Sequence, residues 1–290
     1  MTLEQLNRQI ETTSDLRNIV STMKMLSSVS VNQYMTAQQG ISDYLSVLYD
    51  GFKALNVNGY LNTRIGKTSN IPKTLAVLIG SDNGLVGSFN KNILLTAKKT
   101  FKTYQTEEIT YICIGRKLCA MAQFSGLNPA ESFPISNTIE EIADIASQLL
   151  LKIEQIKNKR KIERVVLFYN QKEETSAVIQ SSQLIPFPVS LFDTTKKRWR
   201  ERAFPYISMD FHQLFLSLIH EYLTTLISQA IISSLACEHY TRMINMQQAE
   251  KNIDDSLEEL NLIFAQNRQT AITDELIDII SGANSLKKKK

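Results

Sequence analysis

LEQLNRQIETTSDLRNIVSTMKMLSSV, residues 3–29, places apolar side chains at Leu3, Leu6, Ile10, Leu16, Ile19, Met23, Leu26 and Val29. Most steps between them are of three or four residues, which sets them along one stripe of an α-helix. The stripe continues through Tyr34, Ile41, Leu45, Leu48, Phe52 and Leu55; Gly40 and Gly51 weaken the helix without breaking it. A helix of about 55 residues is roughly 80 Å long. A compact domain of this chain length is far shorter in any direction, so the helix over residues 1–58 protrudes and needs a partner.

The other chain end supplies that partner. All six prolines lie between Pro72 and Pro205, and from Met209 to Leu286 the only glycine is Gly282. Proline disrupts helix interiors, so its placement divides the chain into two long helical ends, 1–58 and 209–286, around a middle region, 72–205. Residues 209–286 carry a drifting apolar stripe from Phe211 to Phe264, interrupted by Gln247, Gln248 and Lys251. A helix of that length argues for a coiled coil. The interrupted heptads predict an irregular antiparallel pair rather than a regular zipper.

The middle alternates. TLAVLIGS (74–81), ITYICIG (109–115) and RVVLFYN (164–170) read as strands, with a further strand over 175–192 ending at Pro186 and Pro188. Helical stretches lie near 90–104, 116–125 and 138–157. The expected fold class is therefore α/β: a long antiparallel coiled coil of the N- and C-terminal helices plus a central Rossmann-like domain with a parallel sheet.

Composition narrows the function. Hydrophobic residues make up 43% of the chain, which suits a packed core. No stretch approaches the roughly 20 consecutive apolar residues of a membrane span, and the first residues lack the pattern of a signal peptide. Cys113, Cys119 and Cys237 are an odd number without CxxC spacing, so they read as reduced, buried thiols. The net charge of +3 hides a segregation: net −1 over residues 1–58, +8 over 59–208 and −4 over 209–290. RKLCAMAQF (116–124) and KKRWRERAF (196–204) mix basic and aromatic residues, but no nucleic-acid reader motif accompanies them, and they read as solvated surface or a protein interface.

Candidate chemistry is sparse. GSDNGLVGSFN (80–90) follows a strand and precedes a helix, where α/β proteins often hold phosphates. It matches neither GxGxxG nor a Walker A loop, and Asp82 alone is a weak magnesium ligand. It reads as a tight turn in which Gly84 and Gly87 allow unusual backbone angles. The three histidines, His212, His220 and His239, lie on the last long helix and suggest neither a metal site nor a catalytic triad. In residues 266–286, Arg268 and Gln269 interrupt an apolar stripe, and Thr273, Asp274 and Glu275 follow on the next turn.

Four segments, in order, resemble the gamma subunits of F-type ATP synthases. AQNRQTAITDELIDIISGANSL (265–286) is similar to the family's C-terminal ARQAAIT-x-E-L-x-E-I-x-x-GA. SLACEHYTRMINMQQAEKNID (234–254) resembles its ASE-x-x-x-RM-x-AM-x-x-A-x-x-N through Glu238, Arg242, Met243, Met246, Ala249 and Asn252. STMKMLSSV (21–29) resembles T-x-AMKMVSA, and GSDNGLVGSFN resembles SDRGLCGGFN. Departures are Asn83, Val86 and Ser88 in that turn, a neutral SSVSVNQYMTAQQ after Met25, and FPYISMD (204–210) where the family has Tyr-x-Glu-Pro. The N-terminal start looks closer to the divergent F-type ATPases, some of which are thought to pump sodium ions in place of protons.

The resemblance implies a non-catalytic shaft without cofactor or metal. Its partners would be the alpha and beta subunits around the coil, and epsilon and the c-subunit ring at the α/β domain. It would lie on the cytoplasmic face of the cell membrane, with indirect membrane contact. Met23 and Lys24 would face the moving lever of a beta subunit. Arg268 and Gln269, with Thr273 and Glu275 nearby, would engage a beta catch loop. Ile277 to Leu286 would turn in an apolar bearing, and Lys287 to Lys290 form a basic tail with no assigned role. Two other classes stay open: a small-molecule-binding α/β enzyme, and a coiled-coil scaffold.

Overall fold

A computed structural model describes residues 2–57, 73–103, 108–136, 138–173, 176–187 and 206–287. The KKRWRERAF segment, the end of the strand expected to reach residue 192 and the final three lysines lie outside the described residues. The elements in chain order are α1 (Leu3–Val57), β1 (Thr74–Ile79), α2 (Phe89–Thr103), β2 (Ile109–Ile114), α3 (Arg116–Phe124), β3 (Glu131–Phe133), α4 (Ile139–Arg160), β4 (Arg164–Glu173), β5 (Ser176–Ile185) and α5 (Phe211–Lys287).

The sheet order is β3-β2-β1-β4-β5. β1 lies at its centre, parallel to β2 and β4, and all six of its residues are buried. Its unbroken apolar run is the pattern of a strand covered on both faces. β3 extends the parallel part beside β2. β5 departs from the expected parallel sheet by running antiparallel to β4. Only two residues separate Glu173 from Ser176, enough for a hairpin and far short of the dozen or so that a parallel crossover needs. The strand stops at Ile185, before Pro186. Three-residue β3 is too short to show a period in the sequence.

Alternate residues of the strands face different layers. Leu75, Val77 and Ile79 pack with Ile142, Leu149 and Ile153 of α4 and with Ile227, Ile231 and Leu235 of α5. Ala76, Leu78 and Cys113 face Phe89, Ile93 and Ala97 of α2 and Leu118 and Ala122 of α3. α4 begins with Glu140 and Glu141 and ends with Lys157, Lys159 and Arg160, each charge complementing the helix dipole. One 18-residue window of α5 reaches a mean hydropathy of 1.3, and 44% of it is buried inside the protein. Much of the apolarity of α5 thus serves the core above the sheet.

The chain divides into two compact units, and both long helices contribute to each. The larger unit, Ser28–Thr241, holds the sheet. In it Leu45, Leu48 and Phe52 of α1 surround Tyr222 of α5, with the Phe52 and Tyr222 rings edge-on at 5.7 Å. The Gln38 side chain donates to Ser233 Oγ at 3.3 Å, and Tyr44 Oη donates to Glu221 at 2.9 Å. Contacts that move forward on α1 move backward on α5, so the helices are antiparallel. The smaller unit, residues up to Ser27 together with those from Arg242 onward, shows the same sense: Arg17 pairs with Asp254, and Lys24 with Glu250.

Candidate functional site

The turn after β1 is built for close packing. A Cβ on Gly80 would lie 2.5 Å from both Leu118 Cβ and Asn90 Oδ1, so only glycine fits. Asn90 Oδ1 accepts from the Ser81 amide at 3.0 Å, and its amide group donates to Ser81 Oγ at 2.9 Å. Gly87 takes a positive φ of 57°, as the turn reading expected, but the second such residue is Leu85, at 65°, and not Gly84.

Asp82 is committed within this corner. Its Oδ1 accepts from the backbone amides of Arg116 at 2.9 Å and Ile135 at 3.2 Å, and its Oδ2 accepts from Arg116 Nε at 2.8 Å. The side chain is 4% exposed. One carboxylate therefore ties the β1–α2 turn to the start of α3 and to the segment after β3. Its acceptor positions serve the fold rather than a phosphate-bound metal. Among the described residues, no group of three or more His, Cys, Asp or Glu is arranged to hold a metal ion. His239 stacks on Tyr34 at 5.4 Å between ring centroids.

The residues of the 234–254 motif are largely interior. Glu238, in the larger unit, is 3% exposed. Burial pushes the neighbouring Tyr34 hydroxyl up to about 12, and the charges of Glu238 and Glu140 add to the shift. In the smaller unit Arg242 and Met246 are buried, and Met243 is half-buried. These positions read as a structural seam of the long helices.

The remaining candidates all lie in the smaller unit and fall into two bands. Met23 and Lys24 are half-buried on α1. Lys24 is held by Glu250, whose carboxyl is kept below the usual range chiefly by the Lys24 hydrogen bond and then by Ser21. Arg268, Gln269, Thr273 and Glu275 are exposed on α5. Arg268 lies 18 residues beyond Glu250, a rise of about 27 Å along the helix, so the structure does not bring the two bands together. Thr273 Oγ1 donates back to the Gln269 backbone carbonyl at 2.9 Å.

Exposed apolar side chains surround both bands. Leu16, Ile19, Met25 and Leu26 on α1, and Ile272, Leu276, Ile277, Ile279 and Ile280 on α5, are each roughly half exposed or more. Exposed apolar patches of this kind mark surface that another protein covers. Sequence reasoning missed Arg17, Glu250 and Asp254, the ionic partners across the helix pair, because their pairing depends on the register of two segments more than 200 residues apart. It also missed the clasp made by Asp82.

A family model described as ATP synthase matches residues 2–286. An ATP synthase gamma chain of Flavobacterium psychrophilum is 27% identical over 297 residues, covering 98% of this chain and 99% of the relative. One of Chlorobaculum parvum is 26% identical over 302 residues, covering 99% of each. Among solved structures, a chain of the Euglena gracilis mitochondrial ATP synthase has a TM-score of 0.67 at 15% identity, covering 98% of this chain and 94% of that one.

Proposed function

The chain belongs to the ATP synthase gamma family, and we infer that it is the central rotor shaft of a rotary F-type ATPase, coupling ion translocation to ATP synthesis or hydrolysis. The family match across residues 2–286 carries this reading. The exposed apolar and polar bands of the smaller unit are what a shaft needs: a surface that is complete only inside a surrounding head. The α/β enzyme reading loses its support, since Asp82 is spent on the fold.

In this role the alpha and beta subunits surround the helix pair, and epsilon and the c-subunit ring take the α/β domain. The complex is membrane-bound and the chain peripheral to it, on the cytoplasmic face. The chain itself catalyses nothing; its faces bias each catalytic site between states. Such a bias requires contact free energies that differ between states by a few kcal/mol. The irregular stripe of α5 offers different side chains in different directions. Arg268 and Gln269, with Thr273 and Glu275 nearby, present polar groups to a beta catch loop, and Met23 with the Glu250-held Lys24 presents a second contact to the beta lever. Glu238 in the larger unit, and Arg242, Met243 and Met246 in the smaller, serve the packing of the long helices rather than a contact with the head.

Reconstitution tests the proposal. The chain mixed with the alpha and beta subunits encoded by the same genome should give a stable complex whose ATP hydrolysis depends on it. Changing Arg268 and Gln269 together to alanine should lower that turnover about tenfold or more, since each charge-assisted bond is worth about 1.5–3 kcal/mol. A chain that fails to join the head, or a double variant with unchanged turnover and coupling, would contradict the shaft and its catch contact respectively.

A further inference from the structure

The turn after β1 treats its polar side chains unequally. Ser81 and Asn90 are buried and bonded to each other, and Asp82 is held by Arg116 and Ile135. Asn83 and Gly84 are exposed. Among the described residues, neither the Asn83 side chain nor the Gly84 amide has a hydrogen-bond partner. Nothing lies within 4 Å of a Cβ position on Gly84, so solvent reaches the peptide group that joins the two residues. The other half of that peptide group, the Asn83 carbonyl, accepts from Ser81 Oγ at 2.8 Å. Loss of the Gly84 amide proton would place part of the negative charge on this oxygen, and a hydrogen-bond donor there favours the anion. No other asparagine among the described residues precedes a glycine. Asn90 and Asn170 are buried and precede Lys91 and Gln171.

We propose that Asn83 is a deamidation site, where the chain converts its own side-chain amide to a carboxylate with water as the co-reactant. The Gly84 amide gives its proton to hydroxide, and its nitrogen attacks the Asn83 Cγ. The new N–Cγ bond closes a succinimide ring. The Cγ–Nδ2 bond breaks, and ammonia leaves with a proton from water. Water then adds to one ring carbonyl and breaks its bond to the ring nitrogen. Opening at Cγ gives aspartate; opening at the backbone carbonyl gives isoaspartate, whose main chain runs through Cβ and Cγ. One amide and one water thus give one carboxylic acid and one ammonia. Glycine permits the attack, because a side chain at position 84 would crowd the approach of its nitrogen to Cγ. Either product puts a negative charge beside Asp82, and isoaspartate also moves the carbonyl that Ser81 holds. The Asp82 clasp is therefore weakened as the chain ages. The reaction is independent of the shaft role.

The test incubates the full-length folded chain at mildly alkaline pH, digests it and maps the products by mass, with isoaspartate identified by enzymatic methylation. A synthetic peptide of residues 78–88 supplies the rate for the unfolded sequence. Asn83 should convert within tenfold of the peptide's rate and faster as pH rises, while Asn90 and Asn170 remain amides. The thermal transition of the chain should fall as the converted fraction grows. Gly84→Ala should slow conversion at least tenfold; the open space at Gly84 accommodates the methyl group, and an unchanged thermal transition before incubation verifies the fold. Conversion more than tenfold slower than the peptide's, conversion no faster than at Asn90, or an undiminished rate in Gly84→Ala would overturn the proposal.

Discussion

Asp82 and Glu250 are both acidic, and the structure gives them different work. Asp82 stands where α/β enzymes hold chemistry, yet its carboxylate accepts two backbone amides and the Arg116 guanidinium group. Asp82→Ala should therefore cost about 1–2 kcal/mol, because it removes the acceptor of the Arg116 and Ile135 amides, the second of them part-buried. A urea midpoint shift measures it, and a loss under about 0.5 kcal/mol would deny the clasp. Glu250 is a titration device. Its folded carboxyl is depressed, chiefly by Lys24, so the stabilisation is present above the ordinary carboxylate pKa and is lost as pH falls through the depressed value. In Lys24→Gln the carboxyl should climb toward its ordinary range, as read by carbon NMR titration; no movement would mean that Lys24 is not its partner in solution. Arg17–Asp254 was as illegible in the sequence as Lys24–Glu250, because a charge's partner on another helix is set by register and not by spacing. The exposure of Arg268, Gln269, Thr273 and Glu275 follows from polar residues that break an apolar stripe, and their catch-loop contact stands as a proposal drawn from a family motif.

At the scale of elements, backbone geometry decides what the corner tolerates. Gly115 links β2 to α3 at a φ of +105°, and a Cβ there would stand 2.8 Å from the Ser81 carbonyl oxygen. Gly115→Ala should destabilise the chain by about 2 kcal/mol or more. Gly84 has nothing within 4 Å of its Cβ position, so Gly84→Ala should be near neutral. The thermal transitions of the two variants make a matched comparison, and equal shifts would show that crowding is not the cause. The long helices and the main strands were legible because proline placement, apolar period and branched residues agreed over long runs. β5 was placed, but its direction follows from the two-residue link at Glu173–Ser176, a constraint of chain length rather than of side chains. Tyr222 illustrates what helix pairing adds: it is buried only because Phe52 and its neighbours on α1 close over it. Phe52→Ala should therefore cost about 3–5 kcal/mol by equilibrium unfolding; a cost within about 0.5 kcal/mol, as for an exposed site, would mean that the two chain ends do not pair there.

At the scale of the whole molecule, the sheet consumes the apolar surface of one part of α5, while the part beyond Arg242 keeps apolar and polar side chains exposed. That division of one 77-residue helix is what a shaft requires: an end that is gripped by its own fold and an end that others grip. The exposed end should be the aggregation-prone part of the isolated chain, and the alpha and beta subunits should relieve it. Rotation tests the central claim most directly. A probe fixed to the α/β domain, with the alpha–beta head held on a surface, should turn in one direction when ATP is added and stop when it is exhausted. A head that contains this chain and hydrolyses ATP while the probe stays still would contradict the account.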